Sequence, residues 1–173
     1  MRKNKNYLIP FVGLPVGKHL YEYQIEDSFF EEIPYSEIKK GALKLTLTLN
    51  KQSVMLVLHF SMSGTVNLLC DRCNEYFDLE IQSDNELGIK TSGDEIVADD
   101  VISISAAETE INIATYIYEY IVLSVPIKRV HPDNKNGAST CNKEAMEAYD
   151  KYVRKEKIID PRWEKLTYLK FNN

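Results

Sequence analysis

The sequence predicts an α+β fold, with an antiparallel, strongly bent or barrel-like sheet, one buried helix and C-terminal helices. Three observations carry that expectation. "ALKLTLTL" (residues 42–49) alternates leucine with Lys and Thr, the period of two that puts one strand face in a core. "VMLVLHFSMSGTVNLLC" (54–70) follows after a short "NKQS" turn, so the two segments read as a hairpin with a long return strand. From residue 126 the charge turns basic, and from Cys141 the spacing turns helical.

The elements follow in chain order. "KHLYEYQI" (18–25) alternates and reads as a strand. In "DSFFEEIPYSEIKKG", Asp27 or Ser28 can cap a short helical turn that Pro34 ends. Val54 to Phe60 is apolar at every position but His59, which predicts a central strand covered on both faces. His59 then reads as a satisfied, half-buried strand residue rather than a ligand. Gly64 suggests a bulge or bend.

After "CDRC" the chain resumes as "EYFDLEIQSDNELGIK". Phe77, Leu79 and Ile81 alternate with Asp78, Glu80 and Gln82, a third strand antiparallel to the second if the turn is tight. "TSGDEIVADD" is an acidic loop, and "VISISAAETE" is a further strand or an acidic lead into a helix. "INIATYIYEYIVLSVP" (111–126) has strand-like composition but helix-like length. Asn112 as N-cap and Pro126 as stop favour a buried helix, with Ile113, Tyr116, Ile117, Tyr120 and Ile121 on one face. "HPDNKNGAST" is a loop by composition. "CNKEAMEAYDKYVRKEK" predicts a helix with an apolar stripe of Ala145, Met146, Tyr149 and Tyr152 or Val153. A last short helix starts at Asp160-Pro161 and carries Trp163, Leu166 and Leu169 on one side. The organisation expected is a β-rich body over 1–127. A basic loop and helical segment follow over 128–173, as part of the same domain or as an appendage.

Composition narrows the class. With 173 residues, 44% hydrophobic and 27% charged, the chain can bury a core without a staple. The basic-then-apolar start is broken by Pro10, Gly13, Pro15 and Gly17, which argues against a secretory leader. No run reaches the ~20 apolar residues of a membrane-spanning helix. Three cysteines do not pair off, and a cytoplasmic location with reduced thiols is the expectation. Residues 1–125 carry 10 Lys+Arg against 19 Asp+Glu, a balance of −9. Residues 126–173 carry 11 against 7, a balance of +4. An acidic body with a basic end can bind an anion locally, and the same excess can equally be a solvated face.

Cys70 and Cys73 form a C-x-x-C turn, and three readings of it stand side by side. Such a turn aims two thiolates at one metal, and His131 with Cys141 would complete a Cys3His set suited to zinc. Thiol redox chemistry would want the motif at a helix N-terminus in a βαβ unit, whereas here it lies between two apparent antiparallel strands. The thiols can also simply pack, since free Cys is often buried. There is no Gly-rich phosphate loop, no H-E-x-x-H and no G-x-S-x-G. No enzyme signature is found.

"CDRCNEYFDLEI", then "YIYEYIVLSVPIKRVHPD" with Cys141 beyond it, and finally "DPRWEKLTYLK" resemble, in that order, the YceD-like proteins, the large ribosomal RNA subunit accumulation proteins. The similarity runs from about Gly41 onward. Cys70, Arg72, Cys73, Glu119, Pro126, His131 and Cys141 match the family pattern. Asn74 stands where Leu is commoner, and Arg129 where many members have a second Pro. The resemblance implies a non-enzymatic bacterial cytoplasmic factor supporting 23S ribosomal RNA accumulation, with ribosomal RNA or a large-subunit ribosomal protein as partner. Docking on RNA phosphates would draw charge from Arg72, Lys128, Arg129, Lys151, Arg154, Lys155, Lys157 and Arg162. The competing class is a protein-binding module whose acidic body takes a basic partner without touching RNA. A thiol oxidoreductase is the third.

Overall fold

The computed structural model describes residues 5–90, 101–105, 107–134, 137, 139–152 and 162. Its centre is a five-stranded sheet in the order β2-β3-β4-β5-β6. The strands are β2 (Gly17–Ile25), β3 (Lys40–Lys51), β4 (Met55–Leu69), β5 (Tyr76–Lys90) and β6 (Val101–Ser103). β2 to β5 pair antiparallel with their neighbours, and β6 lies parallel to β5. A second, two-stranded sheet joins β1 (Leu8–Pro10) to β7 (Glu110–Asn112). Three α-helices are described, α1 (Asp27–Glu31), α2 (Ala114–Ser124) and α3 (Lys143–Tyr152), and a 3-10 turn at Lys5–Tyr7 precedes β1.

The period-two pattern sets the sheet. Leu43, Leu45, Leu47 and Leu49 of β3 are all buried, and in register lie against Gly64, Met62, Phe60 and Leu58 of β4. β5 continues the same face with Phe77, Ile81, Leu87 and Ile89. Each such side chain contributes roughly 1.5–3 kcal/mol by leaving water. Residues from β1, α1, β7 and α2 pack into the same core, among them Ile9, Phe30, Ile111, Ile117 and Ile121. Gly64 sits at φ +153, and a Cβ there would run into the Ala42 carbonyl oxygen and Leu43 Cα. Only glycine lets β3 and β4 approach so closely.

Several expectations are corrected. The sheet is open rather than barrel-like or strongly bent: β2 and β6 are its two edges and do not pair with each other. Closure would need the last strand to meet the first. Here β6 has three residues, and helices with the β1–β7 pair fill the inner face instead of an opposite sheet wall. β4 is central, and among the described residues the core packs on one of its faces, while the other face carries partly buried and exposed side chains. His59 therefore projects from the open face and is exposed, not half-buried. Gly64 makes no bulge, since pairing runs through it without an extra residue on either side. Asp27 is not a cap: its carboxylate accepts the Gly41 N–H at 2.9 Å.

The ambiguous 111–125 stretch resolves into both of its readings. Glu110–Asn112 is strand β7, and the helix follows as α2. Asn112 Oδ1 accepts the Ala114 N–H at 2.9 Å, and the helix stops before Pro126. Ile113, Ile117 and Ile121 are fully buried, while Tyr116 and Tyr120 are half-buried. α3 forms as expected and is capped by Asn142, whose Oδ1 accepts the N–H groups of Glu144 and Ala145. Its stripe is shorter than expected, because Ala145 and Met146 pack while Tyr149 and Tyr152 are exposed. The acidic 91–100 loop, the helix beyond Tyr152 and the Trp163 segment lie outside the described residues.

Candidate metal centre

The corner between β4 and β5 brings the first two thiols together. The Cys70 N–H donates to the Glu75 carbonyl at 2.9 Å, and the Asn74 N–H donates to the Cys70 carbonyl at 2.9 Å. Asn74 has φ +57, a left-handed conformation that Asn adopts more readily than most side chains. The turn is thus tight, and both cysteines face inward and are buried.

The other two candidates arrive from far along the chain. Asp71 ties them in. Its N–H donates to the Arg129 carbonyl at 2.7 Å, and its carboxylate accepts the Arg129 N–H at 2.7 Å. The Arg129 guanidinium lies 3.5 Å from the same carboxylate and 3.3 Å from Glu37. Two residues on, the His131 ring rests against Phe77, with centroids 4.8 Å apart. The loop then returns. Thr140 donates to the Pro132 carbonyl, and the Asn142 amide donates to Glu75 at 2.6 Å. Cys141 is thereby delivered to the same place, buried.

The ligand atoms of Cys70, Cys73, His131 and Cys141 all lie within 4.8 Å of one another. His131 Nδ1 is 3.4 Å from the Cys73 sulfur and 3.6 Å from the Cys141 sulfur. The Cys70 and Cys141 sulfurs are 3.7 Å apart. These separations can be set against a tetrahedron. Zinc–sulfur bonds of about 2.3 Å and zinc–nitrogen bonds of about 2.0–2.1 Å imply S···S edges of about 3.8 Å and S···N edges of about 3.6 Å. The donor set and these three separations fit a four-ligand site, with all four atoms held within 4.8 Å. The thiols also form their own small core with Phe77, walled by Leu79, Val130, Ala145 and Met146 and distinct from the main one.

The electrostatics suit cation binding. Burial alone would raise the Cys70 thiol, but the N–H groups of Cys73, Arg72 and His131 and the His131 ring outweigh it and bring its pKa to about 6. Cys141 is raised, chiefly by burial and then by the neighbouring sulfurs of Cys70 and Cys73. Hydrogen bonds thus favour the thiolate at Cys70, while burial and the neighbouring sulfurs oppose it at Cys141. The C-x-x-C turn lies between antiparallel strands, as its flanking patterns suggested, and no helix begins at it.

The basic candidates are scattered. Arg72 and Arg129 are half-buried and line one cleft with Leu69, Asn74 and Tyr76. Lys128 is exposed in the chain just before Arg129, Lys151 is exposed at the end of α3, and Arg162 is exposed. Arg154, Lys155 and Lys157 lie outside the described residues. Of the residues matching the family pattern, Glu119 is exposed on α2 and Pro126 follows that helix. Asp71 and Phe77 position the site, yet no local pattern marks them, because their partners lie more than fifty residues away.

Fold and cluster together define an open-sheet α+β protein with a candidate four-ligand metal centre at a strand corner. The family model described as "Large ribosomal RNA subunit accumulation protein YceD" matches residues 58–170, and the chain belongs to that family. All four cluster residues fall inside the matched span, whereas β1, β2 and β3 precede it. Comparison with curated proteins and with solved structures gives no match. Among the described residues, no helix is long and apolar enough to cross a membrane.

Proposed function

We propose that Cys70, Cys73, His131 and Cys141 hold one zinc ion, and that the protein is a non-enzymatic accessory factor in large ribosomal RNA subunit accumulation. The observation that carries the metal assignment is the convergence of four ligand atoms within 4.8 Å from two distant parts of the chain. Bound zinc would supply a cross-link, and the rest is done by the chain itself. Asp71 holds Arg129 and Asn142 reaches Glu75 at the β4–β5 corner, so that Arg72 and Arg129 line one cleft. Family membership supports the ribosomal role, and the location that goes with this reading is the bacterial cytoplasm. The partner is then ribosomal RNA or a large-subunit ribosomal protein.

Metal analysis of chelator-free protein tests the first half: near one zinc per chain is expected, and Cys73→Ser should abolish it. RNA contact through phosphates would make affinity fall steeply from low to moderate salt. A flat response counts against RNA as the direct partner.

A second reading, binding of a basic ribosomal protein without RNA, has its own support. Residues 1–125 carry 19 acidic side chains against 10 basic. Val122 and Ile127 are left exposed in a cleft of about 240 Å3 that Ile38, Leu68, Tyr118 and Val125 also line. Capture of ribosomal components with and without nuclease separates the two: a protein partner survives the treatment.

A further inference from the structure

We propose that two copies of this chain pair antiparallel through β2, extending the sheet across a two-fold axis. β2 is an edge strand, and among the described residues β3 alone bonds it. Its register with β3 is unbroken over nine residues. Gly17–Ile25 contains no proline, bulge or inward-pointing charge of the kinds that blunt exposed edges. Its free side presents a regular row of N–H and C=O groups, which is a template for another strand.

Side chains select a second copy of β2 itself. The face of β2 away from the core carries Lys18, Leu20, Glu22 and Gln24, and Leu20 is 65% exposed. Pairing that keeps both copies' cores on one side must place same-face residues opposite each other. Centred on Leu20, it sets Leu20 against Leu20, Lys18 against Glu22 and Glu22 against Lys18. Centred on Tyr21, it sets Leu20 against Glu22. Centred on His19, it sets Lys18 against Leu20. Centred on Glu22, it sets like charges together. The Leu20-centred register alone satisfies both the apolar and the charged positions. It also leaves Glu22 between two lysines, since Lys44 already lies 3.4 Å from it. Self-complementarity of this kind is what a two-fold interface requires.

Sedimentation equilibrium on the full chain tests the pairing. The wild type should show a concentration-dependent dimer. Lys18→Glu and Glu22→Lys should each weaken it about tenfold, because each reversal turns both symmetry-related attractions into repulsions. The double variant should restore it, and mixing the two single variants should give heterodimers in preference to either homodimer. A wild type that stays monomeric overturns the proposal, and so does a dimer indifferent to these reversals.

Discussion

His131 Nδ1 lies 3.4 Å from the sulfur of Cys73, fifty-eight positions away along the chain. That contact joins the β4–β5 corner to the segment leading into α3. If zinc occupies the four ligands, chelation should release this segment without dissolving the sheet, because the thiol cluster is separate from the main core. Hydrogen exchange should speed up over 129–146 on chelation while amides of β3, β4 and β5 stay protected. Equal exchange in both states would show that zinc does not hold the segment.

The low pKa of Cys70 has a signed consequence for metal-free protein. Its folded value of about 6 lies below the ordinary 9.0, so the unfolded chain binds more protons between those limits. Stability from this group is complete above pH 9 and is lost as pH falls through 6. Where the 129–146 segment stays docked without metal, denaturant midpoints of chelated protein should therefore fall over that window and Cys70→Ser should flatten the trend, whereas a flat trend in the wild type would mark release of His131 from Cys70.

Glycine at position 64 is required by backbone geometry. Gly64→Ala should cost about 1–3 kcal/mol from its φ alone, with the clash against Ala42 adding to it. Urea unfolding measures the loss. A change within experimental error would mean the strands can move apart there.

One-sided coverage of the sheet predicts opposite tolerances at neighbouring positions. Leu58→Ala, fully buried, should cost about 2–5 kcal/mol. His59→Ala, exposed on the open face, should stay within about 0.5 kcal/mol of wild type. Equal costs would point to a cover over the outer face.

Much of the fold was legible because strand alternation is a local signal. β3, β4 and β5 follow directly from leucine spacing and the turn residues between them. The buried helix was legible from Asn112, Pro126 and the isoleucine spacing. β1 was not, because three residues interrupted by proline carry no period. Its partner β7 was hidden in the apolar lead of α2 for the same reason. Coverage of β4 misread because apolar Met55 and Val57 look core-bound, although both are only partly buried on the face away from the core.

The site divides in the same way. The C-x-x-C turn, its place between antiparallel strands, and His131 with Cys141 as candidate partners were all readable from residue types and flanking patterns. Their meeting was not. It depends on Asp71 holding Arg129, on Phe77 backing His131 and on Asn142 reaching Glu75. Each of these contacts joins residues that no sequence period connects. Local chemistry thus named the ligands and drew the strands. Only the packed chain could set four donor atoms within 4.8 Å, leave the sheet open and turn His59 away from the core. Long-range proximity arises from how buried surfaces meet, and a one-dimensional pattern does not contain it.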